Sequence, residues 1–97
     1  VIPAHCTHNA HMYYMLMPSL EHRTRFIDGL KERGVQAVFH YIPLHSSPAG
    51  MECGRAQGDL PVTNDVSERL VRMPLWLGVE EHMDQILAVA DQVLSNR

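Results

Sequence analysis

Apolar positions along the chain follow two rhythms, one of strands and one of helices. Residues 11–18, HMYYMLMP, form a short apolar and aromatic run ended by Pro18. Its length and its tyrosines predict a strand buried on at least one face. His11, Tyr13, Met15 and Met17 share one face of that strand, and Met12, Tyr14 and Leu16 the other. Ser19 then caps a helix over 20–33, with Glu21 in its first turn and Lys31 and Arg33 in its last. Phe26, Ile27 and Leu30 form its apolar stripe. Gly34 suits the left-handed position that ends many helices. VQAVFHYI, 35–42, is rich in β-formers and predicts a second strand. Ala37, Phe39 and Tyr41 lie on one face, opposite Val38, His40 and Ile42.

From Pro43 to about Thr63 nothing is periodic, and prolines and glycines punctuate the stretch. A loop this long in a compact domain is usually functional or disordered. Asp65 and Glu68 match a capping box for a short helix over 65–72. MPLWL, 73–77, predicts a third strand. Pro74 near its start cannot donate to a ladder, so this strand belongs at a sheet edge. Met83, Ile86, Leu87, Ala90 and Leu94 then repeat at helical spacing, with Glu80 and Glu81 at the start and Arg97 at the end. The order predicts an α+β domain, a small three-stranded sheet covered by helices. No internal repeat or low-complexity segment interrupts it.

Composition narrows the classes. The chain has 97 residues, 45% hydrophobic and 20% charged. That is one small domain, burying roughly 60–65% of its unfolded surface. The net charge is −3 and no basic cluster occurs, which argues against nucleic acid or an anionic membrane as partner. No apolar run approaches the roughly 18–20 residues of a membrane span, and no basic-then-apolar leader opens the chain. A cytoplasmic setting is expected. Cys6 and Cys53 follow no metal or redox spacing; reduced thiols are expected, with a disulfide left open. The opening VIPAHCTHNA has no initiator Met, and Lys31 is the single lysine. Both suggest a piece of a larger protein.

Seven histidines are many for this length. His5, His8 and His11 fall three apart, but that spacing aligns ligands only on a helix, and the stretch is not helical in pattern. A polar loop is the better reading than a zinc site. His22 and His82 fall in first turns of helices and are expected to face solvent. His11, beside Asn9, opens the first strand. His40 lies inside an apolar strand, so if buried it needs a hydrogen-bond partner. It is either a satisfied core histidine or a site residue, and its nearness to the loop and to His45 favours the site. No phosphate-binding glycine loop, nucleophile elbow or carboxylate pair completes an active site.

The stretch HNAHMYYMLMPSLEHRTRFIDGLKERGVQAVFHYIPLHSSPAG, residues 8–50, resembles the start of the C-terminal domain of the DegT/DnrJ/StrS sugar aminotransferases. HYIPLHSSPAG, 40–50, is its most specific block. RLVRMPLWLGVEEHMDQILAVADQVL, 69–94, is similar to the family's closing strand and helix. The resemblance implies the small domain of a fold-type-I, pyridoxal-phosphate-dependent enzyme. It implies a homodimer acting on nucleotide-linked keto sugars, with glutamate as amino donor. It also implies that the cofactor domain and the Schiff-base lysine lie before Val1, so residues 1–97 are a C-terminal domain fragment, inactive alone. Lys31 has the sequence context of a helix-end cation, not of an activated amine. By the same resemblance the 40–50 segment faces the sugar-nucleotide. His40, Tyr41 and His45 are then substrate-binding residues, with Asn9 and His11 as a second tier. Catalytic, cofactor and metal residues are not expected in this piece. The alternative is a free-standing small-molecule or metal-binding α+β module, for which the chain itself would take up ligand or Zn²⁺.

Overall fold

The computed structural model describes residues 2–96. It is an α+β fold in which one antiparallel sheet of three strands carries helices on one face. The elements are β1 (Tyr14–Leu16), α1 (Leu20–Glu32), β2 (Val38–Phe39), α2 (Pro48–Cys53), α3 (Pro61–Arg69), β3 (Leu70–Arg72), a 3₁₀ turn (Val79–His82) and α4 (Met83–Ser95). Strand order is β1-β3-β2. Tyr14 pairs with Arg72, Met15 with Val71 and Leu16 with Leu70. On the other side of β3, Val38 pairs with Arg72 and Phe39 with Val71.

The ends of α1 follow from local chemistry. Ser19 sits in extended backbone and its hydroxyl accepts from the His22 amide at 3.3 Å. At the other end Gly34 takes φ +78°. Its amide donates to the Lys31 carbonyl, and the Val35 amide donates to the Leu30 carbonyl. That is the paired 5→2 and 6→1 closure of a Schellman turn, and Leu30 and Val35 make the apolar contact that accompanies it.

The core lies between the sheet and the α1–α4 pair. Phe26, Leu30 and Val71 are its most buried members, joined by Met17, Val35, Ala37, Val79, Ile86 and Ala90. α1 and α4 approach closely at Gly29, where a methyl group would meet the Val93 side chain at 2.8 Å. The opposite sheet face carries Tyr14, Arg72 and Val38 in register. Of its apolar members, Tyr14, Leu16 and Val38 are exposed, whereas Leu70, paired with Leu16, is buried.

Four expectations need correction. The third strand is Leu70–Arg72, not 73–77, and it is central rather than at an edge. Its ladder runs on to the Met73 amide, which donates to the Tyr13 carbonyl, and stops at Pro74, which has no amide to give. The short helix is Pro61–Arg69, not 65–72. Pro61, whose fixed φ suits a first helical position, starts it, and Asp65 sits mid-helix gripping Arg69 at 2.9 Å. The stretch 43–63 is not all loop: Ser47 caps α2 within it, accepting from the Gly50 amide at 3.0 Å. The first two strands are also shorter than the runs 11–18 and 35–42, because β3 offers only three residues to pair with. His22 and His82 are exposed, as expected. Arg97 lies outside the described residues.

Candidate functional site

The segment that leaves β2 turns sharply at Tyr41, whose φ is +27°. Such a value is rare for an aromatic residue, and among the described residues only Ala10 and Tyr41 show positive φ without being glycine. The turn throws the Tyr41 ring outward, 73% exposed. His40 is half-buried and packs edge-on against Tyr41, ring centroids 5.1 Å apart. Its Nδ1 is buried and has no hydrogen-bond partner. A buried ring nitrogen left unpaired costs free energy, and Nε of Arg23, behind the rim, is likewise buried without a partner.

His45 is placed differently. Its Nε2 lies 2.8 Å from Asn64 Oδ1, which ties the turn after Pro43 to α3. With the carboxamide oxygen accepting, His45 donates from Nε2 and Nδ1 is left as its acceptor. Ser46 and Ser47 donate to the carbonyls of Pro43 and Leu44. These hydroxyls are engaged in holding the turn.

Tyr41 lines a recess of about 340 Å³ with Arg23, Phe39, Asn64, Ser67 and Glu68. Arg23 stands 5.2 Å over the Phe39 ring and donates to the Ser67 carbonyl at 3.0 Å. It thereby joins α1, β2 and α3 behind the rim. Neither Arg23 nor Asn64 carries a sequence signal, since their partners lie 44 and 19 residues away.

His11 is elsewhere. Its Nδ1 lies 2.7 Å from Asn9 Oδ1, and its ring opens on a recess of about 570 Å³. Arg72, Trp76 and His82 share that recess, at the end of the sheet where β1 and β2 begin and β3 ends. Tyr41 follows the other end of β2. The five sequence candidates therefore divide into two groups at opposite ends of a sheet three residues, about 10 Å, long. The two recesses share no residue, and neither His40 nor His45 lines either one.

Lys31 lies in the last turn of α1, exposed, and lines neither recess. An amine there is solvated, whereas a Schiff-base lysine is held beside its cofactor. It does not fit the Schiff-base role, so no cofactor chemistry is assigned to these residues. Among the described residues no group of three or more His, Cys, Asp or Glu could hold a metal ion. Cys6 and Cys53 are free and exposed. Among the described residues no helix is long and apolar enough to cross a membrane.

Two comparisons bear on this arrangement. The family model described as the DegT/DnrJ/EryC1/StrS aminotransferase family matches residues 1–93. An uncharacterized protein of Methanocaldococcus jannaschii is 32% identical over 102 aligned residues. That alignment covers 99% of this chain and 26% of the relative, so the chain spans about a quarter of the length of the protein it matches.

Proposed function

Since the chain belongs to the DegT/DnrJ/EryC1/StrS aminotransferase family, we propose that it is the substrate-side C-terminal domain of a pyridoxal-phosphate-dependent sugar-nucleotide aminotransferase. The family match over residues 1–93 is the observation that carries this reading. The intact enzyme transfers an amino group from glutamate to a nucleotide-linked 4-keto-6-deoxy sugar, as a cytoplasmic homodimer. Within the family the chain resembles dTDP-4-amino-4,6-dideoxygalactose transaminase. That makes dTDP-4-keto-6-deoxyglucose the first substrate to try, and lipopolysaccharide or enterobacterial common antigen synthesis the expected setting. The cofactor supplies the amino-group transfer chemistry from a part of the enzyme outside these residues.

The work left to this chain is binding and orientation. Nδ1 of the half-buried His40 is enclosed, which leaves Nε2 as the ring nitrogen to meet a sugar hydroxyl or a phosphate oxygen. Tyr41, thrown outward by its turn, offers a ring face and a phenol hydroxyl. His45, held through Nε2 by Asn64, presents Nδ1 to accept from a hydroxyl. Asn9 and His11 form the second contact region.

The test is steady-state kinetics of the intact enzyme with the keto sugar and glutamate. His40→Ala is expected to lower kcat/KM for the sugar about tenfold or more, the worth of one hydrogen bond to a charged group. KM for glutamate should stay put. Unchanged kinetics for both His40→Ala and His45→Ala would remove the rim from the site.

A further inference from the structure

The recess at the His11 end has a chemistry that its sequence neighbours do not announce. Its volume, about 570 Å³, falls within the range of small-molecule sites. The chain as a whole is acidic, at −3, yet no Asp or Glu lines this recess. Its polar groups are instead the guanidinium of Arg72, the imidazoles of His11 and His82 and the carboxamides of Gln36 and Gln85. Among the described residues Arg72 forms no ion pair; the three pairs present use Arg25, Arg33 and Arg69. His11 spends Nδ1 on Asn9, and among the described residues its Nε2 makes no hydrogen bond. The apolar side is an aromatic plate. Trp76 is 50% exposed, and its ring centroid stands 6.2 Å from that of His82, tilted by 36°.

An unpaired guanidinium without a competing carboxylate calls for an anion, and a bidentate phosphate matches its fork. A half-exposed indole beside it calls for a flat ring, since base stacking on an aromatic side chain is favourable and tolerant of base identity. One ligand class has both parts. We infer that this recess binds a nucleoside diphosphate, with Arg72 and His11 on the phosphates and Trp76 under the base. The choice of a nucleoside diphosphate rests on the reading of the substrate as a nucleotide-linked sugar. The anion-and-ring chemistry does not. Residues 11, 36, 72, 76, 82 and 85 share no motif, and the sheet brings them together by pairing the start of β1 and of β2 with the end of β3.

Trp76 is the chain's single tryptophan, so its fluorescence reports on this recess alone. Thymidine diphosphate titrated into the chain should quench it saturably, with thymidine and inorganic pyrophosphate each binding more weakly. Arg72→Gln is expected to raise Kd about tenfold or more, and Arg72→Lys less, because the charge remains but the fork is lost. Arg55→Ala, outside the recess, should titrate like the wild type. A matching circular dichroism spectrum for each Arg72 variant shows that the central strand still forms. In binding experiments on the chain, the inference is overturned by any of three results. One is no saturable quench together with no calorimetric heat. Another is an Arg72→Gln variant that binds like the wild type. The third is pyrophosphate binding as tightly as thymidine diphosphate. In the intact enzyme Arg72→Gln should raise KM for the nucleotide sugar and leave KM for glutamate alone. Active enzyme with an unchanged sugar KM overturns the recess and leaves the aminotransferase reading standing. Saturable binding by an intact protein that converts no nucleotide sugar does the reverse.

Discussion

Replacing Gly50 by alanine tests how the turn before α2 is held. Gly50 has no left-handed backbone; its constraint is space. A Cβ there would overlap the Leu44 carbonyl and stand 2.8 Å from Ser47 Oγ. That hydroxyl accepts from the Gly50 amide and donates to the Leu44 carbonyl at 3.1 Å, so three residues interlock. The carbonyl is backbone and cannot rotate aside, so the turn must open. Losing the cap costs about 1 kcal/mol. Losing the Ser47–Leu44 bond costs about 1 kcal/mol more. Relief of the overlap adds about 1–3 kcal/mol. Against this, alanine gains about 1 kcal/mol over glycine inside a helix. The balance is about 2–4 kcal/mol against the folded turn, and at 1.4 kcal/mol per decade that is roughly a 30-fold rise in opening at the least. α2 buries none of its residues, so the opening should stay local. Native-state hydrogen exchange should therefore show the amides of Met51 and Gly54, which donate to Ser47 and Gly50, exchanging at least about 30-fold faster. The core amides of α1 should keep their rates. Retained protection at Met51 and Gly54 would mean that helix propensity outweighs the overlap, and the packing argument would be wrong.

Leu30→Ala removes a fully buried side chain from the centre of the core and should cost about 2–5 kcal/mol. For a domain of this size that lowers the thermal midpoint by at least about 8 °C; a shift under about 3 °C would deny Leu30 its central place. Gly34→Ala meets nothing within 4 Å, so its cost is purely that of a left-handed backbone, about 1–2 kcal/mol. Asparagine there should lose less, which denaturant melts can resolve. Asn64→Ala takes the partner from His45 Nε2, and nitrogen NMR should show the Nε2–H tautomer, dominant in the wild type, giving way to a mixture. An unchanged tautomer would show that Asn64 does not orient the ring.

The helices were legible in the chain because their signals are local. Ser19, Gly34 and the Phe26–Leu30 stripe each act within a turn or two, and α1 ends where they say it should. The α4 periodicity was equally plain. The third strand was not. Leu70 and Val71 satisfy the period of a helix and of a strand alike, and only pairing with Met15 and Phe39 decides between them. Asp65 and Glu68 fit a cap, but Pro61 had already started the helix and Arg69 had claimed Asp65.

The candidate rim shows the same division. Sequence alone marked residues 40–50 and their likeness to a family, and that likeness extends over residues 1–93. It gave no sign that Tyr41 turns left-handed, that Asn64 holds His45, or that His11 sits at the far end of the sheet beside Trp76. Local propensity and capping depend on neighbours a few residues away, so the chain carries them in plain order. Strand partners, buried unpaired atoms and the lining of a recess depend on residues brought together from dozens of positions apart. Those became decided only when the sheet closed around β3.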